Sequence, residues 1–381
     1  MNLFPKMQLN WENRFRYSCA GKGIWIFYIL FVPLIVSCQD RKTASEKDIS
    51  FTEVFRHNTG WIAGDGAFSV PLPGNRSLWV FGDSYLNCYD TLTGTVPCLF
   101  QARNAAAIIE NNPPYNFTTL YNKSGTSSFF EYGSDRKYWF WPESGFCYND
   151  TIIVFLARIR STGQPGMWGF ERVDSVYFAK MHLSDPETVY YSTLPSMANI
   201  DFGCSVIYHY DGYYYIYGIR SNGFGNDLFL ARFRPDSLCF PWQFYNGNGW
   251  TTDISGIRKI YDEFTSSFSV TKVNNKFILF TTEFSIDCDQ GKNIFALVSD
   301  KPYGPFRGKK VIWQVDDTLN GHWPMFYAVS AHPEYDNGKN ELLVTYCING
   351  YGKCIEGCVN GRMNPDFYRP KAIRVPYKLL K

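Results

Sequence analysis

Five apolar runs recur along the chain, each entered through a tight polar turn, and their spacing constrains the fold more than any other feature. The runs are Ser77–Phe81, Thr151–Leu156, Tyr213–Tyr217, Lys276–Thr281 and Glu341–Tyr346. The turns before them are Pro73-Gly-Asn75, Tyr148-Asn-Asp150, Asp211-Gly212, Asn274-Asn275 and Asp336-Asn-Gly338. Gly, Asn and Asp tolerate the backbone geometry such turns need, so each reads as a β-hairpin. An apolar strand precedes each turn, and a third often follows, as at Asp227–Arg232 and Asn293–Val298. The runs start about 60–75 residues apart, and helical periodicity is nearly absent from residue 51 onward. Sheet units at that period indicate an all-β chain folded as a five-bladed β-propeller, whose radial packing hides most sheet edges. A pair of β-sandwiches is the alternative. The expected blades cover residues 60–110, 136–195, 199–247, 260–315 and 325–377, with Lys371–Pro376 closing the ring against the first blade. Aromatic residues, 18% of the chain, favour strands and surfaces that stack on flat ligands.

The first 37 residues have a different character. Lys6, Arg14, Arg16 and Lys22 precede the apolar run Gly23–Ser37, with Glu12 as the one acid among them. That run is short for a membrane span, carries Pro33 and has the shape of a signal-peptide core. Ile35-Val36-Ser37-Cys38 resembles a bacterial lipobox, in which the cysteine is acylated and becomes the new N-terminus. The expected organisation is a lipoprotein signal peptide over 1–37, a flexible polar tether over 38–54 and the propeller over 55–381. An uncleaved anchor helix is the alternative. The expected location is the bacterial cell envelope, at the outer membrane or cell surface. Membrane contact is expected through the lipid alone, because no polybasic patch follows Cys38. Lys+Arg number 37 against 35 Asp+Glu, and so slight an excess argues against a nucleic-acid partner. A phosphate-binding GxxxxGK[ST] loop is absent, as is any βαβ pattern to hold one. No cofactor is expected, although a structural metal ion in the axial channel stays open.

Nine cysteines remain beyond Cys19 and Cys38, an odd count that cannot pair completely. Export permits disulfides. Cys88–Cys98 and Cys354–Cys358 are the expected local pairs. The spacings do not follow a CxxC zinc pattern.

The segment from Gly64 to Ser84 carries the strongest chemical signal. It reads as two strands around Pro73-Gly-Asn75. If the hairpin is symmetric about Gly74, Asp65 lies opposite Asp83, each beside a glycine. Like charges directly opposed in a sheet are destabilising. A shared proton, a metal or a hydroxyl-rich ligand would account for the pair. Two exposed turn caps are the plainer explanation. Later blades also open on titratable or aromatic groups. Tyr138-Trp-Phe-Trp-Pro-Glu143 places Trp139 and Trp141 on one strand face before Glu143, which suits a sugar-stacking wall with an acid beside it. Asp201 opens the third blade, Asp262-Glu263 the fourth and Tyr327 the fifth, with His332 further along. Asp201, Glu263, Tyr327, His332, Trp139 and Trp141 are therefore candidate substrate-binding residues.

Gly64–Pro73, Leu78–Ser84, Ala331–Glu334 and Tyr368–Pro376 together resemble a large bacterial group of exported five-bladed propellers of unknown function. That group is distantly similar to arabinanase- and invertase-like glycoside hydrolases, including family 43. The resemblance implies that Asp65 matches the first-blade carboxylate used as base or nucleophile, and Asp83 a second acid on the same hairpin. For the proton donor, Glu143 and Glu263 compete, with Asp201 third. Glu143 is preferred, because Trp139 and Trp141 would desolvate it and raise its pKa. The expected function is a lipid-anchored glycoside hydrolase acting on a polysaccharide, arabinan-type among the candidates, through Asp65, Asp83 and Glu143. A non-catalytic glycan-binding surface lipoprotein is the alternative, and a structural surface protein the third reading.

Overall fold

The computed structural model describes residues 44–381, apart from 210, 224, 240, 265–266, 351–353 and 356. The expected signal peptide and Cys38 lie outside the described residues. Five antiparallel sheets succeed one another along the chain as the blades of a propeller. Blade one comprises Phe68–Leu72, Arg76–Phe81, Ala105–Glu110 and Phe117–Leu120. Blade two comprises Tyr138–Tyr148, Thr151–Ser161, Phe170–His182 and Asp185–Thr193. Blade three begins with Asp201–His209, Tyr213–Ser221 and Asn226–Phe233 and ends in the short strands Gln243–Tyr245 and Trp250–Thr251. Blade four comprises Phe268–Val273, Lys276–Thr282, Asn293–Ser299 and Arg307–Gln314.

Glu263 does not open blade four. Strand Tyr261–Phe264 pairs with the third blade, at Asn226 and Leu228. The reason is an open edge: Gln243–Tyr245 covers strand Asn226–Phe233 only at Ala231 and Arg232, leaving its first half to accept another partner.

Blade five corrects two expectations. Lys371–Pro376 does not pair with the first blade; it is the third strand of the fifth, beside Glu341–Asn349, with Met325–His332 innermost. The ring is closed by the start of the described chain, where Glu46–Lys47 pairs with Arg374 and Ile373. Residues 46–54 are thus no tether. Asp48 caps the short helix Ile49–Glu53 through the Phe51 amide at 2.9 Å and holds the Arg374 guanidinium at 2.8 Å. Phe51 and Phe55 are buried against Trp61, Trp79 and Tyr335, between blades five and one. An exposed strand edge and an apolar gap together draw this segment in.

An apolar cluster fills each of the five gaps between neighbouring blades. A blade is therefore covered on both faces, and its strands read as continuous apolar runs. Every residue of Glu341–Asn349 is buried. Serines tie the inner strands together around the axis. The amide of Val206 donates to Ser144 Oγ at 3.2 Å, that of Val270 to Ser205 at 2.8 Å, and that of Val329 to Ser267 at 3.2 Å. Each bond crosses from one blade to the next.

The disulfides also differ from expectation. Cys98 pairs with Cys358 and Cys288 with Cys354. Ring closure brings loops distant in sequence together, as in the two-stranded pairing of Val96–Pro97 with Arg362–Met363. Proximity in sequence was therefore a poor guide. Cys88, Cys147, Cys204, Cys239 and Cys347 are free thiols.

Candidate active site

The first hairpin has the register expected from symmetry about Gly74: Phe68 pairs with Val80 and Leu72 with Arg76. Beyond a kink, Gly64 pairs with Ser84 in a separate small sheet. Asp65 and Asp83 face each other between these two stretches. The Asp65 amide reaches the Asp83 carbonyl at 3.4 Å, and the Gly82 amide reaches the Asp65 carbonyl at 2.8 Å. Gly66 and Ala67 form the kink in left-handed backbone, at φ 84° and 50°. A side chain on Gly82 would collide with the Asp65 carboxylate. That glycine makes room for the aspartate itself.

Asp65 Oδ2 accepts hydrogen bonds from the hydroxyls of Tyr327 at 2.8 Å and Tyr368 at 3.0 Å. Burial pushes its carboxyl up to about 6, and the two phenols limit the rise. Asp83 is pushed further, to about 8, by burial first and then by the negative charge of Asp65. Arg103 Nη1, 3.5 Å away, opposes that shift, and Trp141 Nε1 lies at the same distance. Facing each other in a buried setting, the two carboxyls titrate as a pair, and ionisation of one disfavours ionisation of the other.

Trp139, Trp141 and Glu143 alternate along strand Tyr138–Tyr148. Trp139 is buried beneath the Arg103 guanidinium, 4.1 Å from the ring centre. Trp141 packs against Phe170, centroids 4.7 Å apart, and Trp168 continues this aromatic shelf into solvent. At Glu143–Ser144 the strand bulges, two residues facing Phe155 alone between the pairs Pro142–Leu156 and Gly145–Val154. Glu143 is buried, and that burial raises its pKa. Its Oε1 receives Arg172 Nη1 at 2.9 Å, while Oε2 has no hydrogen-bond partner. Arg172 also pairs with Asp201. The Cys204 thiol lies 3.6 Å from Glu143 Oε1.

The structure therefore gathers Asp65, Asp83, Trp141 and Tyr327 in one connected group, and Glu143 with Asp201 in a second on the next blades. Tyr327 holds Asp65 directly. His332 stands apart from both. It is fully buried at the far end of its strand, bonded through Nδ1 to Ser69 at 2.6 Å and through Nε2 to Thr345 at 2.8 Å, and stacked on Trp79. Burial pushes its pKa down to about 3, so it is neutral. The expected substrate contact is not available to it. Glu263 lies on strand Tyr261–Phe264, which belongs to the third blade's sheet. The local sequence does not mark Arg103, Arg172, Tyr368 or Cys204 as site residues. Tyr368 stood inside the closing motif, but the two arginines have no local pattern; only the tertiary fold brings them to carboxylates.

A family model described as a domain of unknown function, DUF5005, matches residues 48–377. The chain belongs to the DUF5005 family. No curated protein sequence matches this DUF5005 chain. Among solved structures, it resembles a protein of Bacteroides ovatus ATCC 8483 proposed to be a hydrolase, at TM-score 0.66 and 20% identity over 87% of this chain and 90% of that one. That similarity establishes the fold. An α-L-arabinofuranosidase of Podospora anserina bound to cellotriose also matches, at TM-score 0.46 and 10% identity over 87% and 93% of the two chains. A GH43_1 enzyme of Xanthomonas citri with xylose gives TM-score 0.46 and 10% identity over 85% and 92%.

Proposed function

We propose that this DUF5005 domain is a glycoside hydrolase that cleaves a polysaccharide, with arabinan-type chains the first to try. The observation that carries the reading is the set of three carboxyl groups whose pKa values desolvation raises, Asp65, Asp83 and Glu143, on two adjoining blades. Glycoside hydrolysis needs one carboxylate and one carboxylic acid at the same pH. In the proposed roles, ionised Asp65 takes a proton from water as the water oxygen bonds to the anomeric carbon. Glu143 gives its proton to the departing oxygen as the glycosidic bond breaks. Asp83, carrying the shared proton, keeps Asp65 the base of the pair. Tyr327 and Tyr368 orient the Asp65 carboxylate, and the Trp141–Phe170–Trp168 shelf is suited to stacking on sugar rings.

A second reading has its own support. Arg172 pairs with both Glu143 and Asp201, and a guanidinium beside the donor favours its ionised form. That arrangement suits a glycan-binding protein without turnover. Screening wild type and Asp65→Asn against a polysaccharide panel separates the two. Cleavage by wild type alone supports the hydrolase; binding by both, without cleavage by either, supports the capture protein. We also propose that Cys38 is acylated and anchors the chain to the bacterial cell envelope. Loss of labelled fatty acid from Cys38→Ala tests that anchor.

A further inference from the structure

We propose that Cys288, Cys354, His322 and Asp289 form a zinc-class divalent-metal site when the Cys288–Cys354 disulfide is reduced. The ligands come from three loops on the face that also carries Asp65. Loop 283–292 joins the second and third strands of blade four, loop 315–324 leads into blade five, and Cys354 lies between strands Glu341–Asn349 and Lys371–Pro376 of blade five. Asp287, Cys288 and Cys354 bring their ligand atoms within 4.8 Å of one another, as do Asp289, His322 and Cys354. Cys354 is common to both groups, so its sulfur marks where the loops converge.

The distances suit a metal. His322 Nδ1 lies 2.6 Å from Asp289 Oδ2, and Cys354 Sγ lies 3.8 Å from that same oxygen. Tetrahedral ligands at about 2.0–2.3 Å from zinc stand about 3.3–3.8 Å apart. The cysteine–aspartate spacing already fits; the histidine and aspartate need only part slightly as a metal replaces the proton between them. The Cα atoms of the two cysteines are 6.2 Å apart, so both sulfurs can turn towards a common centre. Two thiolates, one imidazole and one carboxylate make a four-ligand set for a borderline-soft cation.

The supporting shell is in place. The Trp323 amide binds Asp289 Oδ1 at 3.1 Å, leaving Oδ2 aimed at His322. The Asp289 amide binds the Trp323 carbonyl at 2.9 Å, and Leu319 and His322 exchange backbone bonds at 2.7 and 3.0 Å. Such outer bonds fix ligand orientation before the metal arrives. His322 and Asp289 are both partly exposed, which leaves an entry path.

The disulfide and the metal exclude each other, because each uses both sulfurs. An external dithiol supplies two electrons and two protons, is itself oxidised to a disulfide, and leaves two thiols on the protein. Metal binding then forms two metal–sulfur bonds and releases the two thiol protons. His322 binds through Nδ1 with its proton on Nε2. By reciprocity, metal stabilises the reduced form, and each tenfold excess of Zn²⁺ over its Kd raises the pair's reduction potential by about 30 mV.

The test uses the full chain, reduced with a water-soluble phosphine and stripped of metal, beside the oxidised chain. Zn²⁺ is titrated against a chromogenic chelator, and Co²⁺ is used for its thiolate charge-transfer band. The expected result is one tight equivalent in the reduced chain, none in the oxidised chain, and at least a tenfold loss of affinity in Cys354→Ser and in His322→Ala. The double variant Cys98→Ser/Cys358→Ser should keep full affinity, which excludes the other disulfide's thiols. His322 is on the surface, so its variant should fold, with circular dichroism as the check. The proposal is overturned if the reduced chain binds no tight equivalent, or if His322→Ala and Cys354→Ser bind as wild type does.

Discussion

Asp65 and Asp83 impose a cost on the folded chain that their positions at the site would explain. Both carboxyls titrate above their ordinary value of 3.8, at about 6 and about 8. The folded chain therefore holds protons that the unfolded chain has released. The resulting stability is full below about pH 4 and is lost as pH rises through 6 and then 8. Asp83→Asn removes the later loss. Its stability relative to wild type should rise between pH 6 and pH 9 by about 2–4 kcal/mol, read from denaturant melts. A pH-independent difference would mean that Asp83 is already ionised at pH 6. Tyr327→Phe acts in the opposite sense on Asp65. It removes a hydroxyl that favours the carboxylate, a bond to charge typically worth about 1.5–3 kcal/mol. The acid limb of any pH–rate profile, set near 6 by Asp65, should move up by about 1–2 pH units. An unmoved limb would assign it to another group. The facing of these acids was legible in sequence because a two-residue repeat and one tight turn fix a hairpin register. Their partners were not, since Tyr327 and Tyr368 reach Asp65 across ring closure.

At the scale of elements, departures from regular pairing on the inner strands shape the candidate site. The register slips between Phe202 and Ser205 in blade three, and between Tyr327 and Ser330 in blade five. In blade three the irregular residue is Gly203, at φ 136°. A Cβ there would stand 2.6 Å from Phe155 Cβ and 2.7 Å from Glu143 Oε2. Gly203→Ala is therefore expected to cost about 1–3 kcal/mol in backbone strain alone. It should also push Glu143 off Arg172, abolishing activity beyond what the stability loss explains; unchanged turnover at a lowered melting temperature would detach Glu143 from the chemistry. Ser205→Ala offers a contrast on the same strand. It leaves the buried Val270 amide without its acceptor, at a cost of about 1–3 kcal/mol, with the carboxylates untouched. Blade spacing was readable because hairpin turns announce themselves locally. The bulges were not, because a bulge is decided by what the neighbouring blade needs. Glu263 joins the third blade's sheet for a similar reason: an unsatisfied strand edge, invisible in the chain itself, captures its strand.

For the whole molecule, the question is what keeps a ring of five similar blades shut. Among the connections that span the seam between blades five and one, a packed segment and a disulfide can be set against each other. The first is residues 46–55, whose strand completes blade five while Phe51 and Phe55 fill the gap beside blade one. The second is Cys98–Cys358, which joins positions 260 residues apart and so closes almost the entire ring. They act on different states. Phe51 contributes packing in the folded ring, and truncating a buried phenylalanine typically costs about 3–5 kcal/mol. The disulfide acts largely by restricting the unfolded chain, by about 2–5 kcal/mol for a loop this long. Phe51→Ala should therefore lower stability equally in oxidising and reducing buffer. Cys98→Ser/Cys358→Ser should lower it only against oxidised wild type and match wild type once both are reduced. Thermal melts of the two variants in both buffers make the comparison. If Phe51→Ala were harmless in oxidising buffer and damaging in reducing buffer, the two devices would be redundant clasps on one seam; equal losses in both buffers mean that the packed segment holds the ring independently of the covalent tie.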